Sequence, residues 1–276
     1  MPDEIYNLAA QADAVTSISE PEDTLLVNAN SVMTICEVIR SLSTTKQIKL
    51  FQANSSEIFK GLTLKGTDNE KALIIDETKL EFYPKNPYAI AKLTAYWSVR
   101  NYREYHKLFL CNGIIFNAES PRRNPKFVVN KIARTIRAMK TNDQIQLIIG
   151  DLEAQRDWIH AYDVAMAAWT VLQQNDSDDY MISLNSHHTV RDTIQQACNI
   201  TDIDITWKGD KQTMNEFGIN AKTGQVLVTI DPKLFRPYEL KTIPLVGNNT
   251  KLKSTGWSPK YSWSDMITEM VTSGLD

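Results

Sequence analysis

Stretches of strand length alternate with stretches of helix length over the first 116 residues, and that alternation leaves few folds open. Residues 4–10 read as a buried strand ending in small side chains, and residues 21–40 as a helix with Pro21 at a first helical position. Residues 47–52 follow as a strand, 87–106 as a helix and 108–116 as a strand. A repeat of this kind specifies a parallel sheet with helices on both faces, an α/β fold. In the first long helix Leu25, Leu26, Ala29, Val32, Met33, Cys36 and Ile39 fall on one apolar stripe. Residues 60–85 interrupt the pattern, and 62–76 read as an elaborated loop, either a lid or a surface insertion.

Beyond residue 116 the pattern continues with a different character. A basic amphipathic helix is expected over 127–140, carrying Lys131, Arg134 and Arg137, with a strand over 145–149. Helices at 163–174 and 189–198 and strands at 179–184, 203–208 and 225–229 follow. The last helix opens at Ser262, with Asp265 three residues on, and ends at Gly274.

The composition narrows the classes of function. A net charge of −3 with scattered lysine and arginine provides no basic field for nucleic acid. Cys36, Cys111 and Cys198 are far apart with no Cys-x-x-Cys pair, which suits reduced thiols in the cytoplasm. Counting apolar runs finds none of the roughly 18 residues of a membrane helix, and the N-terminus has no secretory pattern. The expectation is a soluble protein without membrane contact. His160 and the adjacent His187 and His188 lack metal-ligand spacing, so no metal site is expected.

Two segments about thirty residues apart carry the chemistry. Ser55-Ser56-Glu57 follows an apolar strand, and Tyr88 and Lys92 stand four residues apart just after Pro87. On a helix that spacing puts the ammonium and the phenol on one face, where the cation favours the phenolate. A free phenol has a pKa near ~10 and is otherwise a poor base at neutral pH. The pair reads as an activated acid/base and Glu57 as a second one; a solvated helix face is the plain alternative for Lys92 taken alone.

Seven segments in order carry a wider resemblance: Asn7 to Gln11, Gln52 to Glu57, Tyr83 to Lys92, Asn112 to Asn117, Glu119-Ser-Pro-Arg-Arg123, Arg156-Asp-Trp158 and Phe235 to Glu239. Together they resemble the GDP-mannose 4,6-dehydratase family of the extended short-chain dehydrogenase/reductase group, over about residues 3–273. The resemblance implies a Rossmann-like sheet that lacks its N-terminal strands, with catalytic residues within 1–116, and a smaller nucleotide-sugar lobe within 117–276, partly interleaved. It implies NADP as cofactor, GDP-mannose as substrate, and a homo-oligomer (dimer or tetramer) or a hetero-oligomer with a full-length subunit. Tyr88 would take the proton of the sugar 4-hydroxyl, Ser55 would hydrogen-bond that oxygen, Glu57 would remove the C5 proton, and Lys92 would support Tyr88 and the nicotinamide ribose. Leu8, Ala9, Ala10, Gln11 and, across a subunit interface, Arg123 would touch the cofactor. Ser17, Asn117, Lys131, Arg156, Arg236 and Glu239 would face GDP-mannose, the two arginines meeting its phosphates as bidentate forks. Ser56 reads equally as a second hydroxyl donor or a turn residue.

The chain departs from the family pattern at identifiable places. Dinucleotide-binding sheets open with a strand, a glycine-rich turn and a helix, yet the first glycine here is Gly61. The expectation is a fragment of a longer product, or a chain that does not hold NADP unaided. Ala12-Asp13, Asp23 and Ala118 replace residues that the family places near cofactor and substrate, and Lys60 stands where glycine is usual. Two other readings stay open: an inactive paralogue that binds GDP-sugar or a full-length partner subunit, and another nucleotide-sugar epimerase or dehydratase.

Overall fold

The computed structural model describes residues 1–62, 72–78, 80–142, 144–234 and 244–274. They divide into two compact units, the first made of Met1–Asn117, Tyr162–Asn185 and Leu245–Pro259, and the second of Ala118–Ala161, Ser186–Pro244 and Lys260–Asp276.

In the first unit four strands pair in parallel in the order Glu4–Asn7, Lys49–Ser55, Leu110–Ile115 and Asp179–Ile182. The Pro21–Leu42 and Pro87–His106 helices cover one face, where Val32, Cys36, Ile39, Ala95 and Val99 pack with Leu50 and Leu110. On the other face lies Ala161–Leu172, whose Val171 carbonyl accepts from Cys111 Sγ at 3.9 Å. That face admits no side chain at Gly113, where a Cβ would sit 2.3 Å from the Phe51 ring. All three cysteines are buried and unpaired.

Two features differ from the sequence reading. First, Leu25 and Leu26 are exposed and Met33 is 39% exposed, so they leave the expected stripe. A π turn at Leu26–Asn30 inserts one residue into the helical repeat and rotates what precedes it by about 100°, bringing Thr24 and Asn28 inward instead. The helix then runs unbroken from Pro21 to Leu42, so by length and composition alone it reaches membrane-spanning size, which counting apolar runs overlooked. A core helix passes the same test, and this one buries Ala29, Val32, Cys36 and Ile39. Second, the expected loop at 62–76 contains a strand, Leu73–Ile75, paired in parallel with Leu245–Gly247. Residues 63–71 lie outside the described set, and so does any statement on a lid. The segments 162–185 and 245–259 group with the first unit. Backbone pairing of Asp179–Ile182 with Leu110–Ile115, and Trp257 Nε1 donating to the Asp163 carbonyl at 3.1 Å, hold them there.

The second unit contains a mixed sheet ordered Ile205–Lys208, Phe217–Asn220, Val226–Ile230 and Leu147–Ile149. The Val128–Met139, Val190–Ile200 and Trp263–Thr272 helices bury Val129, Ile132, Ile136, Ile194, Met266 and Met270 with Leu147 and Leu227 of that sheet. Thr189 with Asp192, and Ser262 with Asp265, form complete capping boxes that start two of these helices. Phe217–Asn220 escaped the sequence reading because Gly218 and a register shift after it break the alternation of apolar and polar residues.

Candidate active site

The parallel register sets the carboxyl ends of neighbouring strands side by side, with Asn7 opposite Gln52 and Ser55 opposite Ile115. Crevices outside such ends are where open α/β sheets bind ligands. Ser55 ends its strand and caps a short 3₁₀ helix, Ser56–Phe59, its Oγ accepting from the Glu57 amide at 3.3 Å. Its hydroxyl hydrogen is not used by that bond. Ser56 is buried inside the turn.

Glu57 projects from the same turn. Its Oε1 meets Lys60 Nζ at 3.0 Å, and its Oε2 accepts from Asn86 Nδ2 at 3.4 Å. Asn86 has a second role, because its Oδ1 accepts from the Ala89 amide at 2.8 Å and caps the helix that Pro87 begins. Tyr88 lies in the first turn of that helix and Lys92 one turn on. The Lys92 side chain is 3% exposed, donates to the Ala53 carbonyl at 2.8 Å and stands 5.9 Å from the centre of the Tyr88 ring. Burial pulls its ammonium down to about 8. Contacts thus lead from Ser55 to Glu57, to Asn86 and the turn holding Tyr88, then from Lys92 back to the strand at Ala53. The four residues expected to act together belong to one ring of contacts around one strand end.

Leu8, Ala9, Ala10 and Gln11 form the connection after the first strand, Leu8 and Ala9 exposed and the other two half-buried. Asn28, which the sequence reading missed, holds this connection in place: its Oδ1 accepts from the Gln11 amide at 2.8 Å and its Nδ2 donates to the Gln11 carbonyl at 2.9 Å. An asparagine on an otherwise apolar stripe was the available signal. Gln11 Oε1 is buried without a hydrogen-bond partner among the described residues. A short alanine-lined connection with an unused acceptor, following the strand that pairs with Lys49–Ser55, suits the close approach of a dinucleotide.

The remaining expected residues are placed differently. Ser17, expected to face substrate, is fully buried and its hydroxyl donates to the Ala14 carbonyl at 2.7 Å, so it supports the short Thr16–Ser19 helix. Asn117 closes the first unit at the start of the Asn117–Glu119 strand. Lys131 and Arg156 are half-buried in the second unit, where Arg156 donates to the Gln155 carbonyl at 2.7 Å. Arg123, in the same unit, lies over the Phe127 ring at 3.8 Å and 4.0 Å from the Glu119 carboxylate. Arg236 and Glu239 fall outside the described residues. Among the described residues no group of three or more His, Cys, Asp or Glu is placed to hold a metal. His160 stacks on Tyr261 at 4.0 Å and His188 on Trp263 at 3.9 Å.

Comparison with known proteins bears on this arrangement. The profile of the GDP-mannose 4,6 dehydratase family matches residues 1–270. The chain is 36% identical to a Drosophila melanogaster GDP-mannose 4,6 dehydratase, covering all of this chain and 67% of that protein. It is 38% identical to the Dictyostelium discoideum protein of the same name, covering all of this chain and 74% of the relative. Among solved structures, RMD from Pseudomonas aeruginosa complexed with NADPH superposes with a TM-score of 0.78 over 98% of this chain and 80% of that one, at 20% identity. A UDP-glucose 4-epimerase from Thermus thermophilus in complex with NAD gives 0.74 over 98% and 76%, also at 20% identity. At such identities the two structures speak to the fold, which is Rossmann-like.

Proposed function

Because this chain belongs to the GDP-mannose 4,6-dehydratase family, we propose that it converts GDP-mannose to GDP-4-keto-6-deoxymannose with loss of water, using bound NADP. The observation that carries this reading is the assembly of Ser55, Glu57, Tyr88 and Lys92 within one unit. A nicotinamide dinucleotide, when bound, supplies an acceptor for the C4 hydride and its return to C6. Tyr88 takes the proton of the sugar 4-hydroxyl, and Ser55 donates a hydrogen bond to the same oxygen. Lys92, anchored on the Ala53 carbonyl, favours the phenolate by its charge. Once C4 is a ketone the C5 proton is acidic; Glu57 removes it and hands a proton to the 6-hydroxyl, which leaves as water, and after hydride has returned to C6 a solvent-derived proton is added at C5. Lys131, Arg156, Arg236, Asn117 and Glu239 are read on the nucleotide-sugar side, and Leu8 to Gln11 with Arg123 on the cofactor side. The choice of NADP is supported by the neighbour solved with NADPH, which is alike in fold.

A 4-epimerase needs no base at C5, so a held carboxylate beside the serine favours dehydration over epimerisation. Self-association is supported by Leu26, Val38, Ile90 and Trp97, which stay exposed on the two long helices. A cytoplasmic setting is supported by the three free thiols.

The test is product analysis with GDP-mannose and NADP in deuterated water. The expected product is the 4-keto-6-deoxy sugar with deuterium at C5. Tyr88→Phe should slow turnover by about 10²- to 10⁴-fold, and Glu57→Gln should abolish the exchange at C5. An epimerised sugar that keeps all its oxygen atoms would refute the proposal.

A further inference from the structure

The Glu57 carboxylate is held at both oxygens, and one of the holders belongs to no motif. A 3₁₀ turn eclipses residues three apart, so Lys60, which closes the turn with its amide on the Glu57 carbonyl at 3.2 Å, stands directly over Glu57. Its ammonium lies 3.0 Å from Oε1, and the two side chains are 32% and 21% exposed. On the other oxygen, Asn86 ties the carboxylate to the helix of Tyr88 and Lys92 at the longer distance of 3.4 Å.

We propose that Lys60 is a positioning residue for Glu57: it fixes Oε1, leaves Oε2 as the oxygen that takes up the sugar proton, and so aims the base. The proposal rests on Glu57 acting at C5, as read above. An ammonium on Oε1 uses up that oxygen's most accessible lone pair, whereas a neutral amide at 3.4 Å is readily displaced from Oε2. An Oε1 fastened to Lys60 also restricts rotation about the last side-chain bond, which would otherwise have to be frozen at the reacting geometry.

Lys60→Met keeps the aliphatic stem and removes the charge; Lys60→Arg keeps the charge. In the full chain, Lys60→Met should lower kcat and the C5 deuterium exchange together by about tenfold, with KM for GDP-mannose unchanged and the first hydride transfer from C4 unaffected. Lys60→Arg should recover most of the loss. Equal loss of both hydride transfer and exchange, or no loss in either, would overturn the proposal. If the wild-type chain gives no dehydration at all, the dehydratase reading fails separately. The clamp is then read in the ligand-free protein from the ¹³C carboxyl resonance of Glu57, assigned with Glu57→Gln. Lys60→Met should move that resonance and Lys60→Arg should leave it near its original position; an unmoved resonance in Lys60→Met refutes the clamp whatever the activity.

Discussion

Asp179 in the first unit and Glu119 in the second are both sealed carboxylates, with side chains 5% and 4% exposed, yet their surroundings drive them apart. For Asp179 burial pushes the carboxyl upward, but Arg103 at 2.7 Å, Asn112 at 2.9 Å and the Tyr96 hydroxyl at 2.8 Å outweigh it and hold the group below its ordinary value. For Glu119 burial is opposed only by Arg123 at 4.0 Å, and the carboxyl is pushed up to about 7. Its Oε2 has no hydrogen-bond partner among the described residues. Burial alone therefore does not decide whether an acid is charged; the count of donors within hydrogen-bond reach does. Asp179 stitches the sheet to the helix behind it, whereas Glu119 carries an unmet demand for a donor in the segment that most resembles a family signature.

The contrast can be broken from the Asp179 side with the largest effect. Asp179→Ala leaves Arg103 buried without its anion and should cost about 3–5 kcal/mol of unfolding free energy in urea. Since the Asp179 pKa is depressed in the fold, its contribution is full above the unfolded value near ~3.9 and fades as pH falls through the folded one, so the deficit should narrow in acid. Glu119→Gln works in the opposite sense and should stabilise. Below about pH 4.3 both states of Glu119 are protonated and nothing is gained; from there to about 7 the unfolded chain ionises and the folded one does not, so the penalty grows and then levels. Unfolding at pH 8 should show a gain of about 3 kcal/mol that is absent at pH 4. Arg123→Met gives the smallest effect: without that cation Glu119 should titrate still higher, by NMR, at a cost of about 1 kcal/mol or less, as suits a pair 4.0 Å apart.

Much of the first unit was legible because its signals are local. Pro87 after Asn86, with Tyr88 and Lys92 on one face, announced a helix that runs from Pro87 to His106 as expected. Ser262 with Asp265 announced the last helix in the same way. What was not legible came from long-range pairing or from a change of helical period. Leu73–Ile75 and Leu245–Gly247 are too short to show as strands and exist because they pair across more than 150 residues. The π turn at Leu26–Asn30 has no sequence mark, yet it decides that Thr24, rather than Leu25 or Leu26, faces inward. Ser17 was placed on the substrate side by resemblance alone, and no stretch of sequence shows that its hydroxyl donates to the Ala14 carbonyl.

The sequence by itself determined the kind of fold and the cast of reactive groups, because apolar periodicity, caps and a four-residue spacing act over a few residues. The tertiary structure alone decided how those groups are held. That Lys92 is buried on the Ala53 carbonyl, that Asn28 grips Gln11, that Glu57 is fastened by Lys60 and Asn86, and that Asp179 and Glu119 titrate in opposite directions all depend on neighbours brought together by packing. Dielectric surroundings and hydrogen-bond geometry belong to a three-dimensional environment, and no stretch of sequence contains them.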